Sequence, residues 1–319
     1  MRNSVILIIE QFADQYQSRI SAEHPGLEVR TVSHASEIGS KIIDVTALFG
    51  FGPSFDDALI QRAKSLEWIQ FLSSGTDALS RLPSLGRDIV VTSTHGVHGP
   101  SVSEMAFMHM LVLARNYARV RQNQNEAKWD EFDQPLLFKK TIAIVGTGVI
   151  AADLARRCKA FDMTVLGVSR TPRKIDHFDA VLHRSQLPEV AAKADFLVLL
   201  APLTPETTGI VNADILNAMK SSAYLINVAR GPICDETALL AALRDKRIAG
   251  AGLDAFCVEP LPALHPFWRM ENVTITPHIA GRNDCYADLV MPILLHNLKC
   301  FVDGRMTEMV NTKVRPQST

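Results

Sequence analysis

The chain has no apolar run long enough to cross a membrane. Its opening stretch, MRNSVILIIEQF, is apolar only from Val5 to Ile9 before reaching Glu10, which also falls short of a secretory signal. There is no block of Lys or Arg either. With 33 basic residues against 34 acidic ones and a net charge of −1, the chain lacks the positive field that nucleic acid or an anionic membrane surface attracts. Cys158, Cys234, Cys257, Cys285 and Cys300 show no CxxC or metal-ligand spacing. They read as reduced thiols of a cytoplasmic protein, and no metal site is expected. Low-complexity segments are missing, as is any internal repeat beyond a strand–helix alternation. What remains is a 319-residue chain, 47% hydrophobic and 21% charged. That is a globular composition, and the length predicts two domains rather than one core.

The most informative stretch is Thr141–Ala151, TIAIVGTGVIA. Its β-branched apolar run reads as a buried parallel strand. Gly146-Thr147-Gly148 follows, then a helical segment from Val149 to Ala160 with Leu154, Ala155 and Cys158 on one face. Strand, glycine turn and helix start, in that order, predict a dinucleotide-binding βα unit. Gly146 permits the turn, Gly148 admits a pyrophosphate, and the helix N-terminus offers amides to it. Ala151 occupies the place of the third glycine, which the pattern tolerates.

Upstream, strands are predicted at Val5–Ile9, Leu27–Val32, Val45–Phe49, Trp68–Leu72 and Ile89–Thr92, with helices over Gln11–Ala22 and Phe55–Lys64. The alternation implies a parallel sheet covered by helices. Ser73-Ser74-Gly75-Thr76-Asp77, at a strand end, reads either as a turn with Asp77 capping a helix or as amides able to hold an anion. Ser101 is expected to cap one long helix from Val102 to about Val120, apolar on most sides and so buried between domains or subunits. Gln122–Gln134, carrying Trp129, reads as a loop.

After Thr141–Val145 come predicted strands at Thr164–Val168, Phe196–Ala201, Ala223–Val228, Gly250–Leu253 and Val273–Thr276. Six strands match a complete doubly wound sheet. Asp235 is the expected N-cap of the helix running to Lys246, and a last helix spans about Asp284 to Phe301. That helix is expected to pack on the first domain. The expected boundaries are 1–98 with 285–319 for a smaller domain and 99–284 for the dinucleotide-binding one.

An NAD-dependent enzyme commonly carries an acid at the end of the second strand of this sheet. Here that place reads Ser169-Arg170-Thr171-Pro172-Arg173-Lys174, and Asp162 lies at the wrong end of the strand. Ser169 and Thr171 can donate hydrogen bonds, while Arg170 and Arg173 can pair a 2′-phosphate. NADP(H) is therefore the preferred cofactor, with NAD(H) possible. Three further polar residues fall just past three consecutive predicted strands: Arg230 in NVARG, Glu259 in LDAFCVEP and His278 in TPHIAG. In open α/β sheets that edge is where ligands bind.

With GTGVIA and the APLTPET segment from Ala201, these motifs resemble the D-isomer-specific 2-hydroxyacid dehydrogenase family along nearly the whole chain. The resemblance implies a Rossmann domain plus a smaller flavodoxin-like α/β substrate domain with a cleft between them, and a homodimer joined partly through the Val102–Val120 helix. It implies Arg230 binding and polarising a small 2-oxo or 2-hydroxy acid, His278 as acid/base, and Glu259 as its partner. It also implies that Ser74, Gly75 and Thr76 hold the substrate carboxylate. The implied cofactor surface comprises Gly146, Thr147, Gly148, Val149 and Ile150, then Ser169, Arg170, Thr171 and Arg173. It continues with Ala201, Pro202, Thr207, Val228, Ala229, Arg230, Asp254, His278, Ala280 and Gly281, where Asp254 faces the nicotinamide carboxamide. Trp268 and Phe49–Gly52 are candidates to border the substrate.

The chemistry agrees with those roles. Reducing a 2-oxo acid places negative charge on the carbonyl oxygen, which a proton donor and an aimed cation stabilise. An imidazole beside a carboxylate suits the first task, and a guanidinium fork the second. The rival reading is a non-catalytic dinucleotide-sensing regulator on the same scaffold. Such a protein should show a partner-docking groove or tail, and the stretch from Asn311 to Thr319 offers no obvious one.

Overall fold

The computed structural model describes residues 4–314; the expectations for the chain's first residues and for the tail to Thr319 fall partly outside them. The chain divides into two units, Met1–Val97 with Asn283–Thr319, and His98–Arg282. The first unit opens with β1 (Val5–Ile9), α1 (Ala13–Glu23), β2 (Glu28–Val32), β3 (Ala47–Gly50), α2 (Asp57–Arg62), β4 (Trp68–Phe71) and β5 (Val90–Ser93). The second holds α3 (Gly99–Ala114), α4 (Tyr117–Asn125), β6 (Thr141–Val145), α5 (Val149–Ala160), β7 (Thr164–Ser169) and β8 (Ala180–His183). It continues through α6 (Leu187–Lys193), β9 (Phe196–Leu199), α7 (Ala213–Ala218), β10 (Tyr224–Asn227), α8 (Glu236–Arg244), β11 (Gly250–Leu253) and β12 (Val273–Ile275). The chain then returns to the first unit as α9 (Tyr286–Val302) and β13 (Thr312–Val314).

In the first unit the strand order is β13-β5-β4-β3-β1-β2, parallel except for β13. The five parallel strands follow the flavodoxin-like order 2-1-3-4-5. All five residues of β1 are buried because both faces of the sheet are covered. Val5, Leu7 and Ile9 join the core under α2, while Ile6 and Ile8 pack with Tyr16 and Ile20 of α1 and Val290, Leu294 and Leu298 of α9. A buried polar thread ties the sheet to its late-arriving elements. The Trp68 indole donates to the Thr92 hydroxyl at 2.8 Å, which donates to Gln70 at 2.7 Å, and the Asn297 carboxamide accepts from the Val310 amide at 2.8 Å.

The second unit is a seven-stranded parallel sheet in the order β12-β11-β10-β9-β6-β7-β8, one strand more than the sequence predicts. The additional strand, β8, is short and half-exposed at the sheet edge, so it never produces a buried apolar run. The order reverses between β6 and β9, which is where such sheets bind ligands. α3 buries Val102, Ala106 and Met110 against Ala151, Leu154 and Ala155 of α5 and the sheet.

Two expectations for this region need correction. The helix begins at Gly99 with His98 as N-cap, and the Ser101 hydroxyl merely donates to the His98 carbonyl at 3.4 Å. It also ends at Ala114, because Asn116 turns left-handed (φ 46°) and restarts the chain as α4, which takes in the first residues of the expected loop, Gln122 to Asn125. Asn is one of the few side chains that tolerate that backbone. In the first unit, Thr76 rather than Asp77 precedes the short 3₁₀ turn Asp77–Arg81, with no side-chain cap. Asp235 does cap α8, accepting from the Ala238 amide at 3.0 Å. Among the described residues no helix is long and apolar enough to cross a membrane.

Candidate active site

The glycine turn leaves β6 at the reversal of strand order. Gly146 has φ 98°, and a Cβ there would stand 2.6 Å from the Ala201 nitrogen, so the position admits only glycine. Gly148 is the extended N-cap of α5, which no side chain caps. Nothing lies within 4 Å of where its Cβ would be. The residues present therefore fit a dinucleotide: a close backbone approach, room above it, and the positive end of a helix. Thr147 packs its methyl over Gly167, and in the first turn of the helix Val149 is exposed while Ile150 is half-buried against the core.

At the end of β7, Ser169 and Thr171 form a small turn in which the Ser169 hydroxyl and the Thr171 backbone meet at 3.3 Å. Arg170 and Arg173 are exposed and make no ion pair among the described residues. The Glu206 carboxyl is held below the usual carboxylate range, chiefly by a hydrogen bond from Thr204 and further by the charges of Arg184 and Arg170. Arg184 directly follows β8, so the strand missed in the sequence brings a third cation to this loop.

Past β10, Asn227 shapes the turn that presents Arg230: its amide nitrogen donates to the Arg230 carbonyl at 2.9 Å and its oxygen accepts from the Ala229 amide at 3.2 Å. The Arg230 guanidinium donates to the Ala229 carbonyl at 2.7 Å. Past β11, Glu259 accepts from the Phe256 amide at 2.9 Å. Past β12, His278 Nδ1 lies 2.7 Å from Glu259 Oε2. Burial pushes the Glu259 carboxyl up, but the His278 hydrogen bond, the Phe256 amide and the charges of His278 and Arg230 prevail and hold it low. A carboxylate, an imidazole and a guanidinium thus gather at one edge of one sheet.

Other expected contacts are placed differently. Asp254 is buried, and its carboxylate accepts from the Thr276 hydroxyl at 2.6 Å and from the Ile279 and Ala280 amides at 3.0 Å. It clamps the loop carrying His278 instead of presenting itself outward. The Thr207 hydroxyl donates to the Pro202 carbonyl at 2.7 Å and accepts from the Thr204 amide at 2.8 Å, so it closes the loop after β9. Val228 and Ala280 turn their side chains into the core, leaving only backbone to face a ligand, and Ala201 is likewise buried. Pro202 is exposed and Ala229 half-buried, while a Cβ on Gly281 would come within 3.2 Å of the His98 ring.

In the first unit, Ser74, Gly75 and Thr76 follow β4 and are half-buried. The Ser73 hydroxyl donates to the Gly75 carbonyl at 2.7 Å, and the Ser74 hydroxyl meets His95 Nδ1 at 3.1 Å. His95, unnoticed in the sequence, sits just past β5, so the strand-end rule that selects Arg230 and His278 selects it too. Tyr286 was missed as well. Its hydroxyl donates to the Leu72 carbonyl at 2.8 Å and meets Thr94 at 3.0 Å, holding the two strand ends beside this loop. Phe49 is fully buried against Trp68 and cannot border a substrate. Trp268 is half-exposed, its indole donating to the Pro262 carbonyl at 3.0 Å.

A doubly wound sheet, a glycine turn at its switch point and an acid–base pair beside an arginine define a dinucleotide-binding oxidoreductase scaffold. Residues 107–280 match the family described as D-isomer specific 2-hydroxyacid dehydrogenase, NAD binding domain. The chain is 32% identical over 289 residues to glyoxylate/hydroxypyruvate reductase B of Yersinia enterocolitica, covering 88% of this chain and 89% of that one. A solved D-isomer specific 2-hydroxyacid dehydrogenase family protein from Aeromonas salmonicida superposes with a TM-score of 0.89 at 33% identity, covering 98% and 99%. The NADPH-dependent glyoxylate/hydroxypyruvate reductase of Sinorhizobium meliloti, solved with NADP and sulfate, gives a TM-score of 0.83 at 26% identity, covering 97% and 98%. The chain belongs to the D-isomer specific 2-hydroxyacid dehydrogenase family and is an NAD(P)-dependent oxidoreductase.

Proposed function

We propose that this protein reduces a small 2-oxo acid, of the glyoxylate or hydroxypyruvate kind, to a D-2-hydroxy acid, with NADP(H) preferred over NAD(H). The observation that carries the reading is the 2.7 Å pair between His278 and Glu259 at the sheet edge that also presents Arg230. Two of the relatives named above are glyoxylate/hydroxypyruvate reductases, and one of these is NADPH-dependent. The nicotinamide, when bound, supplies the hydride. His278 holds the proton that the carbonyl oxygen takes up, and Glu259 favours the charged imidazole that can give it. Arg230 offers its fork to the oxygens of the acid. Ser74, Gly75 and Thr76 contribute backbone amides to the substrate carboxylate, on the family resemblance. The protein acts as a homodimer in the cytoplasm.

The cofactor preference rests on Arg170 and Arg173 and on the missing acid at the end of β7. One or two charge-assisted hydrogen bonds to a 2′-phosphate, at roughly 1.5–3 kcal/mol each, favour NADPH over NADH by about 10- to 100-fold or more in kcat/KM. The test is that ratio, measured with a panel of 2-oxo acids. Equal or better use of NADH overturns the preference, and tight NADPH binding without turnover supports the regulator reading instead.

Glu259→Gln is expected to shift the alkaline limb of reductive kcat/KM to lower pH. The sign follows from the pair. Glu259 stays ionised well below neutrality, so its charge supports protonated His278 as pH rises, and the amide withdraws that support. An alkaline limb in the same place as wild type argues against the pairing.

A further inference from the structure

The loop that carries His278 is anchored from a distance. His109, fully buried in α3, meets the Thr274 hydroxyl at 2.7 Å through Nδ1 and the Thr276 hydroxyl at 3.1 Å through Nε2. Thr276 in turn donates to Asp254 at 2.6 Å, and Asp254 accepts from the Ile279 and Ala280 amides, the two that follow His278, both at 3.0 Å. The ring lies directly on β11: a Cβ on Gly252 would stand 2.6 Å from His109 Cβ and Cγ.

We propose that His109 is a positioning residue, the far end of a hydrogen-bonded line through Thr276 and Asp254 that sets the place of His278. The inference rests on the reading of His278 as the proton donor and names what holds it there. One consideration fixes the direction of the line. The single Thr276 hydroxyl proton goes to Asp254, so toward His109 that oxygen can only accept, and Nε2 must carry the ring hydrogen. Nδ1 is then bare and accepts from Thr274. Burial pushes the ring down to about 4, against the pull of the Asp254 charge, so at neutral pH it is uncharged and this tautomer is stable. The line therefore runs one way, from Thr274 through the imidazole to Thr276 and the carboxylate. It is needed because His278 itself has φ 53°, a left-handed backbone that an imidazole-bearing residue keeps only when its surroundings impose it.

The test uses the full-length protein with NADPH and a 2-oxo acid. His109→Leu keeps the apolar bulk but cannot donate to Thr276, whereas the side-chain amide of His109→Gln reaches the place of Nε2 and can. His109→Leu is expected to lower kcat about 10-fold or more while KM for NADPH stays within about 2-fold, since misplacing a reacting group by an ångström is costly. His109→Gln should recover much of the loss. Thr276→Val, nearly the same in shape and half-buried just past β12, should reproduce it, and the double variant should be no worse than either single. A second readout is the downfield NMR resonance of the His278 Nδ1 proton held by Glu259, which should broaden or vanish in His109→Leu and persist in His109→Gln. A folded His109→Leu or Thr276→Val with wild-type kcat and an unchanged resonance overturns the proposal, as does an equal loss in His109→Gln. If His278→Asn keeps full turnover, the acid–base reading itself has failed, and that result is separate from both.

Discussion

His278→Asn is expected to lower reductive kcat by about 10²–10⁴-fold, the usual worth of a positioned general acid, with NADPH affinity changed far less. Asn is the appropriate replacement because the position has φ 53°, where a non-glycine residue costs roughly 1–2 kcal/mol and Asn is among the most tolerated. The substitution thus leaves the loop near its native path, still held by the Asp254 clamp on Ile279 and Ala280. What it removes is the imidazole that gives its proton to the substrate oxygen. Arg230 remains, with its permanent charge, so binding of the acid should persist while the proton step fails. Single-turnover rates separate the two, since a defect confined to chemistry lowers kcat and kcat/KM together. Retention of even a third of the wild-type kcat removes His278 from the reaction.

The site was legible in the sequence because two simple rules converge on it. Buried parallel strands are short β-branched runs, and ligands gather past their carboxyl ends. Those rules give β6 and β11 at their observed limits, and they select Arg230, Glu259 and His278. Where burial is partial the rules lose their signal. β8 is exposed at both ends and only half-buried between them, so neither it nor the Arg184 that follows it stands out. The break between α3 and α4 turns on the backbone of Asn116, and a single Asn in an apolar helix pattern carries no periodic signal. Asp254 shows the deeper difficulty. Its strand-end place is readable, but whether a carboxylate there points to a ligand or back to its own loop depends on which amides come within reach. Those amides belong to residues 279 and 280, and only the closed fold brings them there. His109 has the same character. On the helix it occupies a core-facing position like its neighbours Ala106 and Met110, and only the two threonines in and just past β12 make it more than a filler.

Gly231→Ala is expected to combine a loss of stability with a loss of turnover, for a reason unrelated to backbone conformation. An added Cβ at this position would lie 2.0 Å from the Phe256 carbonyl carbon, 2.3 Å from its oxygen and 2.4 Å from the Cys257 nitrogen. All three atoms are backbone, so no side chain can swing aside. The two strand-end loops must separate instead. One carries Arg230, the residue immediately before; the other begins at Phe256, whose amide holds Glu259. A methyl here therefore acts as a wedge between the cation and the acid–base pair. Overpacking of this kind costs about 1–3 kcal/mol, which for a unit of this size corresponds to a fall in Tm of roughly 2–12 °C. Displacing Arg230 from the pair by about an ångström should lower kcat by up to 10²-fold. The glycine turn after β6 belongs to a different pair of strand ends, so NADPH binding to the folded variant should suffer much less than turnover. Calorimetry, NADPH titration by fluorescence and steady-state kinetics on the same sample decide it. Unchanged Tm together with unchanged kcat would mean that the loops yield without cost and that the close approach at Gly231 does not govern the site.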